Sequence, residues 1–336
     1  MQKKTLFFVV TFILFASLFL GGSAQAWHHP PYPQKIDPIV TTDWLADHAG
    51  TDNLVILDIR SDLEYWAGHI PDSVNEPFVT GFDPVNGPTS KWIVNRGGLW
   101  LQLPEDADLF ETIGSLGIKC NSWVVIVTAP NPNPEVEPPF YGLANATRVA
   151  LSLIYAGVKN VAILDGGYPK WVAEGLPTTD GVPQVIPATY DGKVNKATFV
   201  SRQYVKKSIR KADILDARDA DVYYGAAIEF YAPKEGHIPS AKCLPAPWIW
   251  GLDQDGNYLY KDAGTLGAMA SGVIREPWDW NRHFGQEIIV YCGVGGYASS
   301  WWFVLTQVLG YQNVKFYDGA AQEWVMKYKM VPYEWD

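Results

Sequence analysis

The feature that most constrains this chain is that it says the same thing twice. Leu57-Asp58-Ile59-Arg60 followed by Gly68-His69-Ile70-Pro71 returns as Leu215-Asp216-Ala217-Arg218 followed by Gly236-His237-Ile238-Pro239. Two further matches keep the same order. Trp123-Val-Val-Ile-Val127 is answered by Ile288-Ile-Val-Tyr291, and Asn160 to Trp171, with Asp165-Gly166, is answered by Asn313 to Trp324, with Asp318-Gly319. Four matches in register mean a duplicated unit. Short apolar runs bounded by charges or glycines alternate with longer helical stretches, such as Leu143 to Ala156. That pattern predicts an α/β fold whose sheet is covered on both faces. The boundaries read as residues 36–175 for the first domain, 176–197 for a linker rich in proline, threonine and glycine, and 198–330 for the second domain. Thr80 to Pro104 reads as a long Gly/Pro-interrupted excursion, and Ala107 to Leu116 as a helix.

Within the second unit the chemistry gathers at Cys292-Gly293-Val294-Gly295-Gly296-Tyr297-Ala298. Ile288 to Tyr291 is a buried strand, and the stretch from Ala298 to Leu309 has the apolar density of a helix. The cysteine therefore sits at a strand end, before a glycine-rich turn. Successive backbone N–H groups in such a turn point at whatever the sulfur carries, and favour a thiolate over a thiol. Gly293, Gly295 and Gly296 supply the dihedral freedom of the turn. A buried, inert core thiol is the plainer reading of a strand-end cysteine. The matching position of the first unit is Thr128, so only the second unit holds a nucleophile that is strong near neutral pH.

Residues 1–26 have the pattern of a secretory signal: Lys3-Lys4, an apolar run from Thr5 to Leu20, and a small-x-small site at Ala24-Gln-Ala26. Export to the periplasm or medium is expected, with Trp27 as the first mature residue and no stable membrane insertion. Three cysteines, Cys120, Cys243 and Cys292, leave at least one without an internal partner. Cys243 is read as buried rather than as a resolving thiol. The formal net charge of −10 argues against nucleic acid as a partner. Six histidines with no cluster at ligand spacing give no metal site, and no cofactor is expected.

The quoted segments resemble the tandem-domain rhodanese-like sulfurtransferases. The two Asp-x-Arg and Gly-His-Ile-Pro sets match that family's domain signatures, and Cys292 to Ala298 matches its active loop. The resemblance covers roughly Ile39 to Tyr328. It implies two domains, each a mostly parallel five-stranded sheet with helices on both faces, the first of them inert. It further implies ping-pong transfer of a sulfane sulfur through a Cys292 persulfide. The donor would be a small anion, thiosulfate or 3-mercaptopyruvate, and the acceptor a thiol or cyanide. Asp216, Arg218 and His237 would support the loop, tying strand to loop rather than reacting. The same structural role extends to Asp58, Arg60, His69, Asp165 and Asp318.

The departures are as informative as the match. Gly293 stands where thiosulfate-using members carry a basic residue. Tyr297 stands where mercaptopyruvate-using members carry a small hydroxyl residue. Val222 occupies the place of a substrate-gripping arginine, with Lys234 or Arg275 as substitutes. A phosphatase of the Cys-x5-Arg kind would need arginine at Ala298. The competing reading is therefore a non-catalytic or partner-dependent binding protein, in which Cys292 relays sulfur or redox equivalents to another exported protein. The aromatic set Tyr223, Tyr224, Phe230, Tyr231, Trp248, Trp250, Trp301 and Trp302 is left open between core and binding mouth.

Overall fold

The computed structural model describes residues 36–83, 87–131, 138–275 and 286–333. The export segment read at 1–26 lies outside the described residues. The first sheet is built from β1 (Ile39–Val40), β2 (Leu54–Asp58), β3 (Val74–Asn75), β8 (Trp123–Val127) and β9 (Asn160–Leu164). Its spatial order is β1-β9-β8-β2-β3, and every pair is parallel. Between β3 and β8 the chain leaves the sheet. The stretch read as an irregular excursion forms two antiparallel ribbons, β4 (Gly81–Asp83) with β5 (Gly87–Thr89) and β6 (Val94–Arg96) with β7 (Leu99–Gln102).

The second sheet repeats the order with β10 (Asp213–Asp216), β11 (Ala241–Cys243), β14 (Ile288–Tyr291) and β15 (Val314–Phe316), arranged β11-β10-β14-β15. Its pairs are parallel too. The fifth place, held by β1 in the first sheet, is taken by a single parallel bridge of Phe199 to Phe316. Val200 N–H donates to the Phe316 carbonyl at 2.9 Å and Phe316 N–H to that of Thr198 at 2.7 Å. A ribbon of β12 (Trp250–Leu252) and β13 (Tyr258–Tyr260) lies outside the sheet.

Helices α1 (Thr42–His48), α2 (Asp62–Trp66), α3 (Asp106–Ser115), α4 (Phe140–Ala156) and α5 (Gly167–Ala173) belong to the first domain. Those of the second are α6 (Arg202–Ser208), α7 (Ala220–Tyr224), α8 (Ala263–Ser271), α9 (Gly296–Phe303) and α10 (Ala320–Val325). Local chemistry sets their ends. Ser61 and Glu64 close a reciprocal capping box on α2, Thr41 caps α1, and Gly157 ends α4 at φ 102°. Helix α9 runs on into a π-helical turn, Val304–Val308.

The alternation of side chains along each strand separates two cores per sheet. In β14, Ile289 and Tyr291 face an outer core with Trp324 and Tyr317. Ile288, Val290 and then Cys292 face the other way. That inner face joins the inner face of the first sheet, Leu57, Val124, Ile126 and Val161, in one continuous apolar core that spans both domains. Helices α4 and α9 pack against each other at its centre, close enough for the Thr147 hydroxyl to reach Ser299 Oγ at 2.7 Å and Ser300 Oγ at 3.0 Å. Trp301 is fully buried there, with its Nε1 donating to the Pro245 carbonyl at 3.1 Å. Truncating such a tryptophan costs about 3–5 kcal/mol. Cys292 thus sits at the carboxyl end of a central strand, on the side that faces the other domain.

Candidate active site

The Cys292 loop is held from both ends. Its carbonyls are fixed by the start of α10: Ala321 N–H donates to the Cys292 carbonyl at 2.8 Å and Gln322 N–H to that of Gly293 at 3.1 Å. Gln322 in turn bridges to the first domain. Its Oε1 accepts from Trp100 N–H and its Nε2 donates to the Trp100 carbonyl, both at 2.9 Å. With the carbonyls turned away, the loop's N–H groups face the sulfur. Gly295 N–H lies 3.1 Å from Sγ.

The expected thiolate is corrected by its surroundings. Cys292 is 3 % exposed, and burial pushes its thiol up to about 11. The N–H groups of Ala298, Gly295 and Val294 pull the other way, while the Glu229 carboxylate adds to the rise. The turn is built to stabilise a negative sulfur, yet the depth of the site outweighs it in the free chain.

The three glycines of the loop differ. Gly295 alone among them takes a positive φ, 105°, which starts α9. Gly293 is required for another reason: a β-carbon there would meet Tyr231 Cε2 at 2.5 Å and the Glu229 carboxylate oxygens at 2.7 and 2.8 Å. Gly296 has open space beside it and no positive φ.

Below the loop lies a buried ion-pair network. Arg218 reaches Asp216 at 2.6 Å and donates to the Gly236 carbonyl at 2.8 Å, so it ties the end of β10 to the Gly-His-Ile-Pro turn. The Tyr291 hydroxyl donates to Asp216 at 2.5 Å and accepts from Ile238 N–H at 2.9 Å. The first domain has the same pair, Arg60 on Asp58 at 2.6 Å and on the Gly68 carbonyl at 3.0 Å. His237 stacks on Tyr223, ring centroids 3.8 Å apart, with Nδ1 2.9 Å from the Tyr223 carbonyl. His69 does the same with Tyr65, at 3.8 Å and 3.0 Å. These side chains brace the turn in both copies, including the copy without a cysteine.

The walls of the site contain residues that the motifs did not mark. Glu229 and Tyr231 come from the segment between Arg218 and Gly236, which are 18 positions apart, whereas Arg60 and Gly68 are 8 apart. That longer connection folds over Gly293. Tyr141, in the first turn of α4, crosses from the first domain and packs edge-on to Tyr297, ring centroids 5.1 Å apart. Tyr297 is buried and its hydroxyl has no hydrogen-bond partner among the described residues. Burial raises the Tyr141 phenol to about 12, with Glu229, Asp219 and Cys292 adding to the effect. Phe230 is exposed and packs on Trp100 at 5.4 Å. Of the remaining aromatics left open between core and mouth, Tyr223, Trp250, Trp301 and Trp302 are core, and Trp248 is exposed.

Neither cation offered as a substitute for the arginine at Val222 serves that role. Arg275 pairs with Asp213 at 2.6 Å. Asp213 pairs with Ile288 at the start of the strands, the end opposite Cys292. The Lys234 ammonium is taken by the carbonyls of Val325 and Tyr328. Thr128, the counterpart of Cys292, donates to the Gly142 carbonyl at 2.8 Å. Cys243, at the end of β11, is half-buried, and burial pushes its thiol up to about 12. All three cysteines are free thiols.

A family model described as the rhodanese-like domain matches the chain twice, over residues 41–174 and 201–327. The sulfur carrier protein TtuD of Thermus thermophilus is 30% identical over 303 residues, covering 85% of this chain and 93% of that protein. A putative thiosulfate sulfurtransferase, SseA of Mycobacterium leprae, is 28% identical over 320 residues, 90% of each chain. Among solved structures, SseA from Escherichia coli, described as a 3-mercaptopyruvate sulfotransferase with the rhodanese fold, superposes with a TM-score of 0.64 at 25% identity. That match covers 85% of this chain and 99% of that one. EanB, at 21% identity and a TM-score of 0.66 over 88% of this chain and 70% of that one, shares the fold. The chain belongs to the rhodanese-like sulfurtransferases, as a tandem of two such domains.

Proposed function

We propose that this protein moves a sulfane sulfur from a small donor to a thiol or cyanide through a persulfide on Cys292. The observation that carries this reading is the placement of Cys292 at the end of β14, with the N–H groups of Val294, Gly295 and Ala298 acting on its sulfur. Thiosulfate and 3-mercaptopyruvate are the donors that the names of the relatives support. With thiosulfate, the Cys292 thiolate attacks the outer sulfur. The S–S bond to the sulfite group breaks, and sulfite leaves with the bonding pair. The new persulfide keeps the negative charge on its outer sulfur, within reach of the same N–H groups. An acceptor thiolate or cyanide then attacks that outer sulfur, the bond to Cys292 breaks, and the thiolate is restored. Lys3-Lys4, the apolar run and Ala24-Gln-Ala26 support an exported protein.

Intact mass after incubation with each donor tests the reading. A sulfur adduct that disappears in Cys292→Ser supports it, and steady-state thiocyanate formation then ranks the donors. A folded, reduced protein that takes up sulfur from neither donor would overturn it. A second reading, a carrier that receives and passes sulfur to an exported protein partner, is favoured by the name of the Thermus relative and by the raised thiol. In that case the adduct forms but multiple turnover with cyanide is absent.

A further inference from the structure

The wall facing Cys292 has the wrong sign for a site that grips an anion. Glu229 lies on Gly293, with both carboxylate oxygens less than 3 Å from where a β-carbon would stand (2.7 and 2.8 Å). One oxygen, Oε1, accepts from the Tyr231 hydroxyl at 2.8 Å. The other, Oε2, is buried and accepts no hydrogen bond among the described residues. Among the described residues its counter-ion is Arg218 at 3.6 Å, and that guanidinium is already held by Asp216 at 2.6 Å. Two carboxylates therefore share one cation. Asp219 adds a third carboxylate that acts on both Tyr141 and Tyr297.

The rest of the wall is aromatic. Tyr141, Tyr231 and Tyr297 surround the loop, and the buried Tyr297 hydroxyl has neither donor nor acceptor among the described residues. Aromatic faces attract cations. A desolvated carboxylate short of hydrogen bonds is stabilised by a positive donor and repels an anion across a low-dielectric gap.

We propose that the Cys292 pocket selects a sulfur acceptor bearing a positively charged nitrogen group, seated between Glu229 and the tyrosine rings, with Glu229 as the specificity-determining residue. The inference rests on Cys292 being the reacting thiol. It also accounts for a site with no spare arginine among the described residues: the ligand brings the positive charge. A cation beside Glu229 offsets the repulsion between that carboxylate and the sulfur. Binding of the acceptor would then favour departure of the Cys292 thiolate when the outer sulfur is handed on.

The test uses methanethiosulfonates of similar size that carry either an ammonium or a sulfonate. Their rates at Cys292 are followed by peptide mass on the full mature chain and normalised to a small free thiol. At low ionic strength the cationic reagent should be favoured by at least about tenfold, and Glu229→Gln should remove most of that preference, as expected for an electrostatic contact in a poorly screened site. Equal rates, a preference for the sulfonate, or a ratio unchanged in a folded Glu229→Gln would overturn the inference. Persulfide loading from thiosulfate, run in parallel, separates the two levels. Loading without a cation preference sinks the specificity and leaves sulfur transfer standing. A cation preference without loading from either donor would overturn sulfur transfer, and with it the acceptor role on which the inference rests.

Discussion

Arg148 of the first domain and Asp318 of the second meet at 2.8 Å inside the core that the two domains share. Arg148 is fully buried, and its Nη2 also donates to the Leu101 carbonyl at 2.8 Å. Asp318 accepts Leu103 N–H at 2.8 Å as well, so the turn after β15 is closed by the strand end of β7 from the other domain. The first domain's counterpart, Asp165, accepts Tyr260 N–H at 2.9 Å from β13 of the second domain. Each Asp-Gly turn is thus completed by a ribbon from its neighbour. The domains are locked reciprocally, around the two helices that follow Thr128 and Cys292.

Breaking that lock from one side should be costly. Asp318→Ala leaves the Arg148 guanidinium buried with its charge uncompensated, and a loss of about 3–5 kcal/mol is expected. Arg148→Met combined with Asp318→Ala removes both charges and should recover a large part of the loss. Urea midpoints of the two variants decide the matter. Equal loss in single and double variants would mean that packing at this point, rather than the ion pair, carries the stability.

The Cys292 thiol should titrate late. With burial holding it up at about 11, alkylation of Cys292 by iodoacetamide should keep rising beyond the pH at which an ordinary cysteine has reached its plateau. At about pH 8 it should run on the order of a hundredfold slower than an ordinary thiol. Glu229→Gln removes a nearby negative charge and should move the profile to lower pH. Cys292→Ser should abolish labelling at this position with little change in thermal stability, since the two side chains are nearly the same size. A profile complete by about pH 9 would show that the N–H groups win over burial.

Gly293 separates this loop from one with a basic residue after the cysteine. Gly293→Lys has no room, because Tyr231 and Glu229 already occupy the space. Forcing them aside should cost about 1–3 kcal/mol and reduce sulfur uptake. The same lysine together with Glu229→Ala removes the collision with the carboxylate and reverses the local charge, so uptake from thiosulfate should recover. Failure of the double variant to improve on the single one would place the obstruction at Tyr231 instead.

Much of this arrangement could be read from local sequence. The duplicated Asp-x-Arg and Gly-His-Ile-Pro segments are short and lie on strands and turns set by neighbouring residues, and so is Cys292 at its strand end. Tyr231 stood only as one of eight aromatics open between core and mouth, and Glu229 gave no signal, because both ride on a connection without periodicity. The hint for Glu229 was the length of that connection, 18 positions from Arg218 to Gly236 against 8 in the first copy. Tyr141 was hidden for another reason: it serves the site of the other domain. The ribbons between residues 80 and 104 escaped because strands of three or four residues, broken by Gly and Pro, are too short to show a period and are defined by pairing with each other. The state of the thiol depended on depth, and depth is a property of the whole packing.

Asp165 offers a pH test of the same interface. Burial raises its carboxyl to about 6 from an ordinary 3.8, against the pull of the Tyr260 and Gly166 N–H groups. The folded chain therefore holds this proton over a range in which the unfolded chain has already lost it. The sign follows: the contribution to stability is greatest below the unfolded value of 3.8, falls as the pH rises toward about 6, and is level above that. The full loss is on the order of 3 kcal/mol for a shift of about two units. Asp165→Asn keeps an acceptor for Tyr260 N–H but carries no charge to desolvate. Relative to the parent chain it should be about equally stable near pH 4 and more stable, by about 1–3 kcal/mol, near pH 8. The comparison must be made as a difference between the two chains, since the Asp58 carboxyl is also raised by burial and bends both curves alike. Urea unfolding at the two pH values gives the answer. A variant less stable than the parent at about pH 8 would mean that the ionised carboxylate strengthens the link to β13 by more than its desolvation costs.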